Sequence, residues 1–301
     1  MTKVHEFAGF VHSMELLRDE NWDAKSYPFS LPVVRGWDRL EFHPRVTFFV
    51  GENGSGKSTL IEALAVAAGF NAEGGSKNFN FSTRASHSPL DRQMRIARSP
   101  RRRRDGYFLR AESYFNVATE IERLDEEPGG PKIIDYHGGV SLHEMSHGQS
   151  FMALLEHRFR GDGLYILDEP EAALSPNRQL TFLSRLHELV GLKSQFIIAT
   201  HSPIILGYPD ALIYEVSDRG ILPTEYEDLE HVSVTRNFLN RRDMFLDTLL
   251  SDDDQQKRRR ATGGALWAVA VQLVHFAPAI LGLVLRDAQA HFVASDLIDI
   301  G

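Results

Sequence analysis

The chain has no cysteine among its 301 residues. Disulfides, thiolate metal sites and thiol nucleophiles are therefore excluded. Positive charge is also in short supply: 33 Lys and Arg against 41 Asp and Glu leave a formal net charge of −8. Such a balance argues against a protein that coats nucleic acid along its whole surface, and leaves room only for a local basic patch. The amino terminus, Met1 to Glu6, does not have the basic-then-apolar layout of a secretion signal, so a cytoplasmic protein is expected. No internal repeat is found. The interval from Thr59 to Ser146 has no heptads and is too short for a long coiled-coil arm. What is present is apolar material: 43% hydrophobic residues suffice for a sizeable core, and suit one large domain with an appendage.

One stretch organises the rest. Gly51-Glu52-Asn53-Gly54-Ser55-Gly56-Lys57-Ser58 fits the phosphate-binding pattern G-x-x-x-x-G-K-[ST]. The preceding run Val46 to Val50 reads as a buried strand, and Leu60 to Ala68, stopped by Gly69, reads as a helix. Between these elements the three glycines allow a tight turn whose N–H groups, with the positive end of the helix, face an anion. Lys57 adds a point charge at the β- and γ-phosphates, and Ser58 offers a hydroxyl to Mg²⁺. Nucleotide binding follows from this context rather than from the pattern alone.

Before the loop, Phe10-Val11, Tyr27-Pro28-Phe29, Leu31 to Val34 and Leu40 to Phe42 read as edge strands. After the helix, Phe70 to Ser88 reads as surface loop, and Arg92 to Arg104 as a basic stretch. That stretch reads as a solvated face of like charges, with a polyphosphate backbone as the alternative it would suit. Tyr107 to Leu109 reads as a short strand, and Glu120 to Pro131 as a charged surface segment. Ser141 to Ser150 then runs into an apolar helix beginning at Phe151, which places Ser146 and Gly148 at a helix start. There they serve as a cap or as anion donors.

Gly163 to Leu167 reads as a buried strand with Asp168 and Glu169 at its carboxyl end, where open α/β sheets bind ligands. Beside a phosphate loop, Asp168 suits Mg²⁺ and Glu169 suits the attacking water; a capping pair before Pro170 is the alternative. A helix is predicted from Pro176 to Val190 with Leu180, Phe182, Leu183 and Leu186 on its apolar face. Phe196 to Thr200 reads as another buried strand, ending at His201, a residue able to sense a γ-phosphate or hold the water, though histidines at strand ends are often structural. Further strands are expected at Ala211 to Val216 and Ile221-Leu222, and helix from Val234 to Leu250.

Taken together, from about Val11 to Leu250, these residues resemble the ABC-type ATPase superfamily, and within it the small predicted ATPases allied to the SMC and RecF proteins. The likeness is carried by the phosphate loop, a signature-like Met145-Ser146-His147-Gly148-Gln149, the acidic strand Leu164 to Pro170, Ala172 to Ser175 at the D-loop position, and Ala199 to Pro203 as the switch. It implies a P-loop α/β fold: a mainly parallel central sheet flanked by helices, an antiparallel edge, a signature part at about 112–160 and a helical tail. It further implies ATP and Mg²⁺ as cofactors and an ATP-gated homodimer. In that dimer Gly51 to Thr59 of one chain, including Glu52, Asn53, Gly54 and Ser55, would hold the nucleotide. Ser146, Gly148 and Gln149 of the other would meet its γ-phosphate. Lys57, Glu169 and His201 would be catalytic, with Ser58 and Asp168 at the metal. His147 and Ser175 depart from the family pattern, and no Q-loop glutamine or adenine-stacking aromatic can be assigned.

Beyond Leu250 the character changes. Asp252 to Asp254 and Lys257 to Arg260 precede Ala265 to Leu285, an apolar run of membrane-spanning length that also suits a docked helix. The expected division is 1–250 for the ATPase domain and 251–301 for an extension, with membrane contact through 265–285 as one use of it. The analogy extends to nucleic acid or an unidentified protein as partners in a repair or defence complex. A transporter ATPase and a non-hydrolysing ATP switch are the rival readings.

Overall fold

A computed structural model describes residues 7–20, 22–76, 88–110, 114–125, 132, 134–135, 139 and 145–250. The described chain divides into two compact units, one ending at Tyr226 and one beginning at Glu227.

The first unit is built on a six-stranded sheet ordered β5 (Asp105–Arg110), β6 (Gly163–Asp168), β7 (Gln195–Ala199), β3 (Val46–Gly51), β8 (Leu212–Ser217), β9 (Gly220–Pro223). All neighbours are parallel except the β8–β9 hairpin, which supplies the antiparallel edge. Every residue of β3, β6 and β7 is buried. A parallel strand covered on both faces must be apolar throughout, which is why these three strands read as unbroken hydrophobic runs. Helix α1 (Lys57–Ala67) lies against β3, β6 and β7. Helix α4 (Pro176–Gly191) packs on α3 (His147–Ala153) and the π-turn 154–158, with Phe182 against Phe151.

A second, antiparallel sheet is ordered β2 (Arg39–Glu41), β1 (Val11–Leu16), β4 (Met94–Arg98). Gln195, fully buried at the start of β7, fastens the two sheets together. Its Oε1 accepts from the Phe10 and Val11 N–H groups at 2.7 and 2.9 Å, and its Nε2 donates to the Val11 and His43 carbonyls at 2.8 and 3.0 Å. The amide thus satisfies all four of its bonding capacities, as a buried polar side chain must.

Several expectations are corrected. The strands before the phosphate loop form this separate sheet rather than the edge of the main one. Tyr27 to Phe29 is a turn and Pro32–Val34 a 3-10 turn, not strands. The basic stretch contains β4, whose Met94 is buried while Arg95 and Arg98 face outward. Phe70, Gly74, Gly75 and Ser88 are buried, and Gly75 exchanges two backbone bonds with Phe108, so the ends of the expected surface loop belong to the fold. Helix α2 (Tyr114–Asp125) covers the start of the expected charged segment. On α4, Leu180 is exposed and Leu189 takes its place in the core. The apolar run 265–285 and the rest of 251–301 lie outside the described residues, as do 126–131. Among the described residues no helix is long and apolar enough to cross a membrane.

The second unit contains α6 (Glu230–Asn240) and α7 (Arg242–Leu250), joined by a Phe238–Phe245 edge-to-face contact with ring centroids 5.9 Å apart, within the range of about 4.5–7 Å that such pairs prefer. A short helix α5 (Pro203–Leu206) in the first unit follows the switch segment.

Candidate nucleotide site

The phosphate loop leaves β3 at Gly51 and enters α1 at Lys57. Gly56 sits at φ 94°, and a Cβ there would come within 2.7 Å of the Val33 side chain and 3.1 Å of Leu31. Both the left-handed backbone and the close cover by the 31–34 turn therefore require glycine. The Val33 N–H donates to the Ser55 carbonyl at 3.2 Å, so the turn that replaced an expected strand buttresses the loop.

Lys57 is 4% exposed and donates to the Gly51 and Glu52 carbonyls, each at 2.8 Å. Burial pulls its pKa below the ordinary lysine value, against the opposing pull of Glu169, Asp168, Glu171 and Glu52. Asp168, 4% exposed at the end of β6, receives the Ser58 hydroxyl at 3.2 Å. Two hard oxygen donors so placed, one of them a buried carboxylate, fit a Mg²⁺ ion.

Glu169 adopts φ 52°, ψ 53°, a left-handed backbone unusual for a glutamate, and its N–H bonds to the Ala199 carbonyl. Strain of this kind aims a side chain that ordinary geometry would not. Its carboxylate lies 3.7 Å from His201 Nε2. Across the sheet, the Thr200 N–H donates to the Phe49 carbonyl at 3.1 Å, tying the switch to the strand that carries the loop. Lys57, Ser58, Asp168, Glu169 and His201 are thus gathered at the carboxyl ends of β3, β6 and β7.

The signature-like segment stands elsewhere. Ser146 caps α3 and Gln149 answers in a capping box, Ser146 N–H to Gln149 Oε1 at 3.0 Å and Gln149 N–H to Ser146 Oγ at 3.4 Å. Gly148 is buried against the Ala173 carbonyl in the 170–175 segment and against Arg178 of α4.

Sequence reasoning missed four neighbours. Glu171 accepts the His201 N–H, and burial raises its pKa above the usual glutamate value. The third acid in Asp168-Glu169-Pro170-Glu171 was the available signal. Gln179 receives the Ser202 hydroxyl at 2.5 Å and donates to the Leu174 carbonyl at 3.1 Å, both inside the protein. Arg178 is the third. The fourth is Tyr27, 64% exposed, with its hydroxyl 3.5 Å from that of Thr59. At the expected Q-loop position, Arg110 pairs with Glu62 of α1 and lies in register with Asp168; residues 111–113 are outside the described set. The stretch Arg92 to Arg104 is largely engaged: Arg101 and Arg104 with Asp162, Arg95 with Glu15, Arg103 over the Phe70 ring.

Comparison with known proteins gives two family matches, "AAA domain" over residues 25–133 and "AAA domain, putative AbiEii toxin, Type IV TA system" over residues 97–207. No curated protein matches. Solved structures similar to the chain include an SMC head domain from Thermotoga maritima, at 18% identity, covering 72% of this chain and 99% of that one, TM-score 0.37. Another is cbiO1 from Clostridium perfringens, part of the ABC transporter complex cbiONQ, at 18% identity, 78% and 97% coverage, TM-score 0.44. A third is MJ1267, an ATP-binding cassette of an ABC transporter, in its ADP conformation, at 17% identity, 71% and 89% coverage, TM-score 0.43. The two AAA-domain matches fall on the segments that carry the phosphate loop, the acidic strand and the switch, and over those segments the chain is similar to AAA-type domains.

Proposed function

We propose that the protein hydrolyses ATP with Mg²⁺ in a cytoplasmic, ATP-gated homodimer. The observation that carries this reading is the gathering of a phosphate loop, a Ser58–Asp168 donor pair and a Glu169–His201 pair at one end of the sheet. Lys57 and the loop N–H groups would bind the β- and γ-phosphates. Ser58 and Asp168 would hold Mg²⁺, which supplies charge neutralisation to the phosphates. Glu169 accepts a proton from water as its oxygen bonds to the γ-phosphorus; the bond from that phosphorus to the bridging oxygen breaks, and ADP leaves with the electron pair. His201, held through its backbone by Glu171, faces Glu169 and orients the water. The dimer is supported by Gly148 standing against the Ala173 carbonyl of the 170–175 segment, with Ser146 and Gln149 capping the same helix start, a placement that suits service to a nucleotide bound by a second copy.

Replacing Glu169 by Gln should preserve ATP binding and lower turnover by about 10²-fold or more, since general-base contributions are of order 10²–10⁴. Light scattering of this variant should show dimer with Mg²⁺-ATP and monomer without. Turnover at the wild-type rate would refute the hydrolytic role, and an unchanged mass with nucleotide bound would refute the homodimer.

A further inference from the structure

The first turn of α4 lays an arginine on the signature-like segment. A Cβ at Gly148 would collide with an Arg178 guanidinium nitrogen and lie 2.6 Å from the Ala173 carbonyl oxygen. Glycine at 148 is therefore what admits the guanidinium. Arg178 is only partly exposed, yet it makes no hydrogen bond or ion pair among the described residues. Arg110, Arg158 and Arg185, similarly shielded, each have a carboxylate partner. A guanidinium carries its charge at every physiological pH, and its planar fork of donors matches phosphate oxygens. Held beside the signature-like residues without a carboxylate of its own, it is a cation awaiting an anion.

We propose that Arg178 is a substrate-contacting residue of the composite site, binding the terminal phosphate of the ATP held by the second copy's phosphate loop. The inference rests on the homodimer proposed above. It also gives Gly148 a role beyond its own N–H: the missing side chain is the slot in which Arg178 lies. On this account Gly148 and Arg178 act as a pair, and a side chain at 148 would disable both.

The test uses the full chain. In the Glu169→Gln background, Arg178→Ala should leave ATP affinity of the protomer within about twofold. It should weaken Mg²⁺-ATP-dependent dimerisation by about 10- to 100-fold, the scale of a lost charge-assisted phosphate contact. Arg178→Lys, which keeps charge without the fork, should recover part of the loss. Equal dimerisation of the Ala variant and its parent would overturn the proposal. A parent that stays monomeric with ATP bound would remove the homodimer itself, an outcome visible without any change at 178.

Hydrolysis distinguishes a contact made across the dimer from a structural role within one chain. With Glu169 intact, Lys57→Ala and Arg178→Ala should each be nearly inactive alone. Mixed, they form a heterodimer in which one site keeps both a working loop and a working arginine. An equal mixture should recover about a quarter of wild-type activity, since half the dimers are mixed and each has one intact site of two. A mixture as silent as its parts would mean that Arg178 serves its own chain, and would refute the assignment.

Discussion

Gln179 is the clearest place to test how the switch is held. Its Oε1 receives the Ser202 hydroxyl and its Nε2 reaches the Leu174 carbonyl, so one buried amide joins the segment after His201 to the segment before α4. Gln179→Ala would remove the acceptor of the Ser202 hydroxyl proton and the donor to the Leu174 carbonyl, at roughly 1–3 kcal/mol each. A total loss of about 2–4 kcal/mol is expected. Ser202→Ala would also cost stability, because Ser202 Oγ accepts from the Ile204 and Ile205 N–H groups at 3.2 Å and so caps α5. The double variant should fall short of the sum by about 1–2 kcal/mol, since removing both partners leaves fewer orphaned groups than the single changes imply. Urea midpoints with an unchanged slope would measure this. Strict additivity, within about 0.3 kcal/mol, would refute the shared bond. The same loosening should lower turnover through His201 while leaving nucleotide affinity, set by the loop, nearly intact.

Glu171 predicts a pH dependence. Burial is the chief cause that raises its folded pKa above 4.5, so its favourable contribution is complete below that value and is lost as pH rises through the higher folded value. Glu171→Gln should therefore gain in melting temperature relative to wild type between pH 4.5 and neutrality, each pKa unit being worth about 1.4 kcal/mol; a difference that ignores pH would rule this out. Tyr27, exposed beside Thr59, offers an aromatic face next to the loop, and Tyr27→Ala should weaken ATP binding by about 1–3 kcal/mol if the base stacks there. Equal affinity for ATP and inorganic triphosphate in wild type would argue against any base contact.

The legible part of this protein is the part buried on both sides. Strands β3, β6 and β7 announce themselves as apolar runs because a central parallel strand has no solvent face, and the loop, acids and histidine stand at their ends. Strand β4 was hidden by its own arginines: Met94 and Ile96 alternate with Arg95 and Ala97, a period of two that the charge count obscured. Leu180 misled because helical spacing allows more apolar positions than a helix must bury. Gln179 and Arg178 were invisible for a different reason. Their roles are set by Ser202, Leu174 and Gly148, partners brought close by the fold, and a polar residue in a helix gives no periodic signal of its partner.

The basic stretch shows how such partners change an experiment. As a sequence, Arg101 to Arg104 looks like four equivalent charges for a nucleic-acid backbone. In the fold, Arg101 and Arg104 meet Asp162 at 2.7 and 3.5 Å. Arg103 lies 4.2 Å over the Phe70 ring and donates to the Ala68 carbonyl, with burial as the main reason its pKa drops to about 10. Changing all four to Ser would therefore disturb the fold along with any basic surface. Arg103→Ser alone should cost about 2 kcal/mol through the lost ring contact and hydrogen bond. Arg92 and Arg102, both exposed and without a hydrogen bond or ion pair among the described residues, should cost less than about 0.5 kcal/mol. The informative variant is thus Arg92→Ser with Arg102→Ser. If the ATP-bound protein uses this surface on DNA, that variant should bind more weakly at low salt and lose roughly one unit of salt slope per phosphate contact removed. DNA binding that survives with the same slope would place any nucleic-acid contact elsewhere on the chain.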